Sequence, residues 1–402
     1  MENLFETEEG VHIDPVFLQS LIQRMLDSDE LQLMSWNSKP IGINKDESAV
    51  FRVCCYFSDN EKTSACTLIL KILKKDSSRD QENHYFYWKR EALVYRSGIL
   101  DRLPRVICAP KCYAVTEKDD GSQWVWLEDI DFEPMQHDWT LTHQQKTARL
   151  LGSFNGAFLS GTPLPTENFL CHHWMRSWVE ACSAYSRPFE EQQKIWDANM
   201  TEWIGKDVMW TSYVSSLSRM NCLLENLELL PRVFAHQDVH WDNIYLKQEG
   251  SSTSLIAIDW QFASVSGIGE ELGRMFGYAL MKNKIPINRL EEYKESLFES
   301  YIQGLCEAGW KGNPKLARFG FNVSAGLRFV LGMDKVFTGL ERDDSINRNV
   351  EWAHLIQVIQ ALLGMVDEAW KLSEEIICLH LTAMEAKEAA RKLYGGFMNQ
   401  MP

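Results

Sequence analysis

The pattern of apolar and polar positions predicts a helix near the start of the chain. In the segment IDPVFLQSLIQRML, Asp14 stands at an N-cap position and Pro15 follows in the first turn, where a backbone N–H is not needed. Apolar residues then recur at helical spacing, at Phe17, Leu18, Leu21, Ile22 and Leu26. This spacing indicates one amphipathic helix that ends before Leu31.

From Leu31 the pattern changes to short runs rich in β-branched and aromatic residues. Four such runs, LQLMSW, AVFRVCCYF, CTLILKIL and QWVWLEDI, are separated by polar turns such as SDNEKTS and EKDDGS, as expected for strands. Between the third and fourth runs, YFYWKREALVYRSGIL has the pattern of a helix that ends near Gly98. The first part of the chain is therefore predicted to be an α+β lobe.

After Asp129 the pattern becomes mainly helical. The segment TLTHQQKTARLLGSFNGAFLSG offers Thr140 or Thr142 as the N-cap of a helix, and further helical patterns cover residues 174–185, 208–230, 289–309 and 350–380. Strand signals return only between Phe234 and Trp260, where NIYLKQEGSSTSLIAIDW predicts a hairpin. We therefore predict two domains, residues 1–130 and residues 131–402.

Composition and charge narrow the classes of partner. The 402 residues carry a net charge of −15, which argues against nucleic acid and against anionic membrane surfaces, whose phosphates would be repelled. The ten cysteines show no repeating spacing, and no stretch approaches the roughly 20 apolar residues of a membrane span. We expect a cytoplasmic protein with reduced thiols that acts on a neutral or cationic substrate.

The segment from Phe234 to Phe262 concentrates polar side chains beside apolar runs. The loop FAHQDVHWDN precedes the predicted hairpin, and LIAIDWQF ends it, so Asp259 is expected to return close to Asn243. One carboxylate and one amide oxygen suit Mg²⁺, which usually also binds phosphate oxygens. A third side chain, Asp238 on the preceding loop, is suited to orient a hydroxyl group and accept its proton.

Two other interpretations of this loop remain open. HQDVHWDN is compatible with a solvated turn, because Asp and Asn are common turn residues, although a turn does not explain the apolar strand that ends in Asp259. His236 and His240 are also candidate zinc ligands. Their His-x-x-x-His spacing needs a helix to align both rings, whereas the residues after Asn243 have the pattern of a strand.

The loop and the strand that follows it resemble those of one enzyme superfamily. HQDVHWDN followed by IDWQF is similar to the aminoglycoside phosphotransferase and choline kinase superfamily, whose loop typically reads H-G-D-x-x-x-x-N. The segments DWQFASVSGIGEELGRMF, RLLGSFNGAF and PLPTENFL also resemble this family, and the similarity extends from about Leu31 to Leu331. Gln237 replaces the usual glycine, a departure that is expected to alter the shape of the loop.

The resemblance implies a fold and a set of roles. The fold would be the two-lobed protein kinase-like fold, α+β in class, with a small antiparallel sheet in the N-terminal lobe and a larger, mostly helical C-terminal lobe. Asp238 would be the catalytic base, while Asn243 and Asp259 would hold Mg²⁺ beside ATP or GTP. His236 would hold the loop in shape, and Glu271 would anchor the helix that follows.

In the first lobe, the resemblance implies a lysine on the third strand that reaches the α and β phosphates. The run CTLILKIL supplies Lys71, and the next helix supplies Glu91 as its partner, with Glu82 as a weaker rival. A lysine among apolar residues is costly to bury unless it is paired. The alternative is that Lys71 lies on an edge strand and extends into solvent.

Two further segments are implied to contact the nucleotide. Backbone groups near Glu128, Asp129 and Ile130 would pair with the purine edge, unless this segment is an ordinary acidic turn after a strand. The phosphate-covering loop SKPIGINKDESAVF contains only one glycine, Gly42, so Ser48 and nearby backbone N–H groups would also have to face the phosphates.

The resemblance also implies the acceptor, a small molecule whose hydroxyl group receives the γ-phosphoryl group, such as an aminoglycoside-, macrolide- or choline-like compound. Aromatic candidates to line its pocket are Trp174, Trp178, Tyr185 and Phe329. Acidic candidates to meet amines are Glu180, Asp334, Asp343 and Asp344. The alternative is that these aromatic residues are core packing and that the acidic run is a solvated loop.

Two other functions fit the same residues. One is a nucleotide-binding pseudoenzyme, or a kinase-like partner in a complex that modifies peptides, and the other is a phosphotransferase acting on a polypeptide hydroxyl. The expected catalytic groups are all present, which favours an active enzyme. The segment between Asp259 and Gly273 is too short for a long activation segment, which favours a small-molecule acceptor.

Overall fold

A computed structural model describes residues 11–44, 48–59, 62–130, 139–200, 205–250, 252–330, 337 and 348–398. The chain divides into two compact units. The first unit comprises Met1–Met135, Glu167–Cys171 and Asp242–Ala263, and the second comprises Gln136–Thr166, His172–Trp241 and Ser264–Pro402. The first unit therefore takes in two segments from beyond residue 130, where the sequence predicts a domain boundary.

The structure contains the following helices and strands, given in their order along the chain. They are α1 (Pro15–Leu26), β1 (Gln32–Asn44), β2 (Ser48–Asp59), β3 (Lys62–Leu73), α2 (Arg90–Arg96), β4 (Ile107–Cys108), β5 (Cys112–Glu117), β6 (Gln123–Glu128), α3 (Leu141–Leu159), α4 (Trp174–Tyr185), α5 (Phe189–Asn199), α6 (Lys206–Glu228), β7 (Arg232–Ala235), β8 (Ile244–Glu249), β9 (Ser252–Ala257), β10 (Ser264–Gly267), α7 (Glu270–Met281), α8 (Leu290–Glu307), α9 (Pro314–Val330) and α10 (Arg348–Met398).

The first unit is built on a five-stranded antiparallel sheet with the strand order β1-β2-β3-β6-β5. Together with the mainly helical C-terminal part of the chain, this sheet confirms the predicted α+β fold class. The four predicted strands are present. The fifth strand, β5, was not predicted because its residues CYAVTE alternate poorly between apolar and polar, and none of them is fully buried.

The two faces of the sheet are distinguished by the alternation of side chains along its strands. On β3, Leu68, Leu70 and Ile72 belong to the buried hydrophobic core, and on β2 the buried residues are likewise every second one, from Phe51 to Phe57. Lys71 lies between two core residues and therefore projects from the opposite face of the sheet. Because β3 is flanked by β2 and β6, Lys71 lies on a central strand and not on an edge.

Helix α1 covers the core face of the sheet, as its apolar spacing predicts. Asp14 is its N-cap and accepts a hydrogen bond from the Val16 N–H at 3.0 Å. Leu18 and Leu21 are fully buried, and the ring of Phe17 lies 5.6 Å from that of Trp126. The position and the N-cap of this helix are confirmed.

The predicted hairpin is also present in the first unit. Strands β8 and β9 pair antiparallel, with Ile244 opposite Ala257, and β4 extends this ribbon by pairing parallel to β9. Gly250 follows β8 directly with a φ of 60°, at the Gly/Ser-rich segment where the sequence predicts a turn. The hairpin places the residue after Asn243 directly opposite a residue close to Asp259.

The second unit contains α3 to α10 and the short antiparallel pair β7–β10. Helix α4 matches its prediction, α3 begins after the predicted cap Thr140, and α6, α8 and α10 overlap their predicted ranges. Helices α5 and α9 were not predicted, and α7 was implied only by the family resemblance, as the helix that Glu271 would anchor. Helix α7 begins directly after Gly269 and contains two more glycines, Gly273 and Gly277. This glycine content weakens the helical pattern of its sequence.

Two observations from the whole described chain bear on the expected cellular setting. No helix in the described ranges is both long enough and apolar enough to cross a lipid bilayer. All ten cysteines lie within those ranges, and none of them is in a disulfide.

Glycine allows α3 and α8 to approach each other closely in the second unit. A Cβ atom on Gly304 would overlap the carbonyl oxygen of Arg149, and one on Gly152 would overlap that of Tyr301. In both cases the obstructing atoms belong to the backbone, which cannot move without shifting a helix. These two glycines therefore set the separation of α3 and α8.

We predict that Gly304→Ala lowers the free energy of unfolding by roughly 2–4 kcal/mol, because the overlap outweighs the better helix propensity of alanine. The measurement is urea unfolding followed by circular dichroism. The matched control is Gly364→Ala in α10, where an added Cβ meets no atom within 4 Å. That control should be neutral or stabilising by up to about 1 kcal/mol. Equal stability of the two variants would contradict the prediction.

Candidate active site

Lys71 lies at the centre of a charge cluster in the first unit, in which Lys71 and Glu91 are buried and Asp259 is partly exposed. Its Nζ is 2.5 Å from Oε2 of Glu91 and 2.8 Å from Oδ1 of Asp259, and the residue is only 9% exposed. Burial disfavours the ammonium, but the charges of Asp259 and Glu91 outweigh it and raise the pKa of Lys71. The structure thus pairs Lys71 with Glu91 and not with the rival Glu82, and it adds Asp259 as a second partner.

The position of Glu91 depends on its neighbour Arg90, a residue that the sequence analysis missed. Arg90 is fully buried, and its five N–H groups donate to five backbone carbonyls, those of Glu82, His84, Tyr85, Phe169 and Gln261. This arrangement satisfies every donor of the guanidinium without a carboxylate. It explains why α2 begins at Arg90, several residues later than predicted, since the preceding residues are held as turns around this side chain.

Glu91 is also bonded directly to the segment that carries Asp259. Its Oε1 accepts a hydrogen bond from the Trp260 N–H at 3.3 Å. Asp259 itself has a φ of 64°, in the left-handed region that costs a non-glycine residue on the order of 1 kcal/mol or more. The contacts with Lys71 and Glu91 hold the chain in this conformation, as is usual for strained residues at functional sites.

Asn243 and Asp259 lie at the same end of the β8–β9 hairpin. The Ile258 N–H donates to the Asn243 carbonyl at 2.9 Å. This hydrogen bond brings the backbone of Asn243 next to the residue that precedes Asp259, so the two predicted metal ligands are close along the backbone. Among the described residues there is no cluster of three or more His, Cys, Asp or Glu side chains that could hold a metal ion. Two hard oxygen donors, with the remaining positions left to water and phosphate, fit Mg²⁺ better than a metal that needs an all-protein cage.

The other predicted nucleotide contacts lie at the edges of the sheet. Gly42 is exposed on β1, beside an irregularity in the β1–β2 register, and Ser48 begins β2 opposite Asn44. The tip of that hairpin, residues 45–47, lies outside the described residues. Their phosphate-contacting role stays a prediction.

The linker after β6 is held by contacts with the rest of the first unit. Glu128 exchanges two hydrogen bonds with the backbone of Lys111, and Asp129 forms an ion pair with Arg52 at 2.8 Å. Ile130 is the last described residue before position 139. The acidic side chains here are engaged by the protein, so only backbone groups are left as candidates to contact a purine.

In the second unit, Asp238 is held in an ion pair by Arg274. The Arg274 Nη2 and Nε groups donate to Oδ1 of Asp238 at 2.6 and 3.0 Å, and Nε2 of His240 lies 3.6 Å from Oδ2. Burial would raise the pKa of Asp238, but His240 and the charge of Arg274 outweigh it, so its pKa lies well below the usual range. No sequence signal pointed to Arg274, because its partner lies 36 positions earlier.

Glu271 anchors the backbone of the loop that carries Asp238. Its Oε1 accepts the His236 N–H at 2.6 Å, and its Oε2 accepts from Nδ2 of Asn155 at 2.7 Å. Asn155 in turn accepts a hydrogen bond from the Tyr301 hydroxyl at 2.7 Å. Within the loop, Nδ1 of His236 accepts the Asp238 N–H at 3.2 Å. These contacts are those expected of a loop anchor and a structural histidine.

Gln237, the departure from the family motif, is accommodated by a buried network. Its φ of 62° is one that glycine adopts freely and that other residues adopt at a cost. Its Nε2 donates to Oγ of Ser266 at 2.8 Å and to Oε2 of Glu270 at 3.3 Å, and its Oε1 accepts from Nη2 of Arg328 at 3.1 Å. Because each end of the amide is satisfied, the fully buried side chain carries little desolvation cost.

The predicted acceptor-lining residues are only partly brought together. Trp174 and Trp178 stack with ring centroids 5.8 Å apart, and the Arg328 guanidinium lies 3.9 Å from the Trp174 ring. Tyr185 is 87% exposed, and Glu180 is also exposed. The other acidic candidates, Asp334, Asp343 and Asp344, lie outside the described residues. Phe329 packs near Arg274, at 5.9 Å.

We predict a pH-dependent stability that originates at Glu271. Burial raises its pKa from 4.5 to about 7, so the folded state binds a proton that the unfolded state releases between these values. Stability should therefore fall as pH rises from about 4.5 to about 7, by on the order of 3 kcal/mol.

Urea unfolding of the wild type and of Glu271→Gln between pH 5 and pH 8 measures this contribution. The glutamine keeps an oxygen for the His236 N–H but does not titrate, so the free energy of unfolding of this variant should no longer fall between pH 5 and pH 7. The control is Glu180→Gln, a change at an exposed residue, which should keep the pH dependence of the wild type. A wild type and a Glu271→Gln variant with the same slope would show that Glu271 is ionised throughout.

Comparisons with solved structures agree with this fold. The chain is similar to an amicoumacin kinase in complex with AMP-PNP and Ca²⁺, with 13% identity, a TM-score of 0.51, and coverage of 87% of this chain and 95% of that chain. It is also similar to choline kinase from Cryptosporidium parvum (13% identity, TM-score 0.46, coverage 93% and 99%) and to Plasmodium vivax ethanolamine kinase (12%, 0.44, 91% and 91%). No curated protein sequence is significantly similar to it.

A family-level comparison goes further than the fold. Residues 46–309 match the ecdysteroid kinase-like family, a region that covers more than half of the chain and contains every predicted catalytic and metal-binding residue. The predicted resemblance to the kinase-like phosphotransferases is thereby confirmed. The chain belongs to the ecdysteroid kinase-like family.

Proposed function

We propose that this protein transfers the γ-phosphoryl group of ATP or GTP to a hydroxyl group of a small molecule, with Mg²⁺ as cofactor. The observation that carries the proposal is the cluster of Lys71, Glu91 and Asp259, in which Lys71 and Glu91 are buried and Asp259 is partly exposed. One ammonium against two carboxylates leaves a surplus negative charge, which is costly where it is shielded from water. A divalent cation that arrives with a nucleotide would compensate that charge.

The proposed roles follow from the chemistry of each group. Lys71, oriented by Glu91, binds the α and β phosphates, and Asn243 and Asp259 hold the metal. A metal held there would offset the negative charge of the phosphates. Asp238 orients the acceptor hydroxyl and takes up its proton. Phosphoryl transfer depends mainly on such positioning and electrostatic stabilisation, so no covalent intermediate on the protein is required.

The charges near Asp238 support an uncharged acceptor over a cationic one. Binding of a quaternary ammonium needs open aromatic faces. Here the ring of Tyr278 already has Arg274 at 4.2 Å and Lys282 at 5.7 Å, and the ring of Trp241 has Lys284 at 5.4 Å. We therefore place a neutral polyhydroxylated compound, such as the ecdysteroid of the family's name, ahead of aminoglycoside-, macrolide- or choline-like acceptors.

A phosphoryl-transfer assay with Mg-ATP and Mg-GTP tests the function. The acceptor panel holds ecdysteroids, aminoglycosides, macrolides, choline, ethanolamine and serine-containing peptides. We expect turnover with a neutral hydroxyl acceptor. Nucleotide binding without turnover of any acceptor would favour the pseudoenzyme, and turnover of peptides alone would favour the polypeptide kinase.

For the catalytic base, we predict that Asp238→Ala lowers kcat by roughly 10²–10⁴-fold, because the acceptor hydroxyl loses its proton acceptor. Binding of Mg-nucleotide, measured by thermal shift, should persist. The control is Asp197→Asn on the exposed side of α5, which should match the wild type. Full activity of Asp238→Ala would remove Asp238 from the reaction.

For the nucleotide site, we predict that Lys71→Met weakens Mg-ATP binding at least about tenfold, since a charge-assisted contact with phosphate is worth roughly 1.5–3 kcal/mol. Isothermal titration calorimetry measures the affinity. Lys75→Met, an exposed lysine near the end of the same strand, is the matched control. Lys71→Met also leaves two carboxylates without a positive partner, which could unfold the protein. The double variant Lys71→Met, Glu91→Gln removes one of these charges and so tests whether unfolding explains a loss of affinity. Unchanged affinity in both would exclude Lys71 as a phosphate ligand.

A further inference from the structure

Helix α7 contacts the Asp238 loop at two points that are one helical turn apart. Glu271 accepts the His236 N–H, and Arg274, three residues later, donates to the Asp238 carboxylate. Residues three apart lie on the same face of a helix. One face of α7 therefore holds both the backbone of the loop and its reactive side chain. The Glu271 contact agrees with the anchoring role that the family resemblance implies, whereas Arg274 is not part of the motif.

We propose that Arg274 is a positioning residue for the phosphoryl transfer, an inference that rests on the proposed function. Both of its hydrogen bonds, from Nη2 at 2.6 Å and from Nε at 3.0 Å, go to Oδ1 of Asp238. Two hydrogen bonds from one planar guanidinium to one oxygen fix the position of the Asp238 carboxylate. Arg274 thereby sets the direction in which Asp238 faces the acceptor hydroxyl.

The geometry of Arg274 suits a group that positions another. Its side chain is 13% exposed, and its guanidinium packs 4.2 Å from the ring of Tyr278 and 5.9 Å from that of Phe329. A guanidinium already confined by aromatic rings loses little further freedom when it binds a carboxylate. The ion pair is therefore formed before any substrate arrives, which is what accurate placement of a base requires.

Three groups that are cationic or can become so face Asp238 from the elements packed around it. They are Arg274 of α7, His240 of the same loop, and Arg328 of α9, whose charge interacts with that of Asp238. Together they overcome the burial that would otherwise favour the neutral acid. When Arg274 is replaced by a neutral residue, its two hydrogen bonds to Oδ1 and its charge are lost, and the pKa of Asp238 should rise.

The chemistry explains why position matters more than basicity here. In the transfer, the acceptor oxygen bonds to the γ-phosphorus while the bond from that phosphorus to the bridging oxygen of the leaving nucleoside diphosphate breaks. The hydroxyl proton passes to the Asp238 carboxylate and then to solvent. A carboxylate with a depressed pKa is a weak base, but a loose transition state needs little prior deprotonation of the acceptor. Orientation of the hydroxyl is then the main contribution of Asp238.

The test compares Arg274→Gln and Arg274→Lys with the wild type in steady-state assays across pH 4–9. We expect Arg274→Gln to lower kcat about 100-fold with the acceptor KM within about threefold, and to move the acid limb of kcat/KM up by at least about one pH unit. Arg274→Lys keeps the charge but not the two-bond contact, so kcat should fall while the acid limb stays near that of the wild type. The control is Arg289→Gln, an exposed arginine paired with Glu292.

Two further measurements separate the possible failures. The rise in Tm on adding Mg-nucleotide should be the same in Arg274→Gln as in the wild type, which shows that the variant is folded. NMR of protein labelled with ¹³C at the aspartate carboxyl, assigned with Asp238→Asn, follows the ionisation of Asp238 without any acceptor. A wild-type kcat and pH profile in Arg274→Gln, or an Asp238 titration that does not shift, overturns the inference. A wild type that transfers phosphate to no acceptor removes the proposed function, and the positioning role with it.

Discussion

A buried ammonium between two carboxylates is the constraint on which the first unit depends. Lys71 projects from β3, Glu91 from the first turn of α2, and Asp259 from the second residue after β9. Removing Lys71 would leave two neighbouring carboxylates without a compensating charge, so the ammonium holds together the elements that carry them. Arg90 supplies the support, because its five carbonyl contacts fix the start of α2 and so the position of Glu91.

In the second unit, buried polar contacts likewise hold the proposed reactive group in place, but they come from a helix. The loop that carries Asp238 has no regular structure of its own, and its shape is imposed by α7 through Glu271 and Arg274. Gln237 adds a further anchor through Ser266 and Arg328. A loop fixed by buried polar contacts on several sides has few alternative conformations of similar energy. The proposed phosphoryl transfer would benefit from that rigidity, since such chemistry depends on where groups are placed.

The sequence predicted those features that depend on local spacing. The run CTLILKIL placed Lys71 in the middle of an apolar strand, and the interval from Asn243 to Asp259 gave the hairpin that brings their backbones together. The sequence did not reveal Arg90 or Arg274, because an arginine in a helix has the same local pattern whether it faces solvent or a distant partner. Helix α7 was implied by the family resemblance but not by its own pattern, because its glycines weaken the helical signal, although Gly273 and Gly277 lie against other helices or rings in the fold.

The two units differ in how the charges of their proposed functional residues are balanced. In the first unit, Lys71 compensates only one of its two carboxylates, so the cluster gains stability when a cation binds, which couples metal and nucleotide binding to its electrostatics. In the second unit, Asp238 is already neutralised by Arg274, so it can meet an uncharged hydroxyl without needing any further ion. In the proposed reaction, the first unit therefore needs a bound cation to balance the charge of its carboxylates, whereas the proposed base in the second unit is already paired with Arg274 before an acceptor binds.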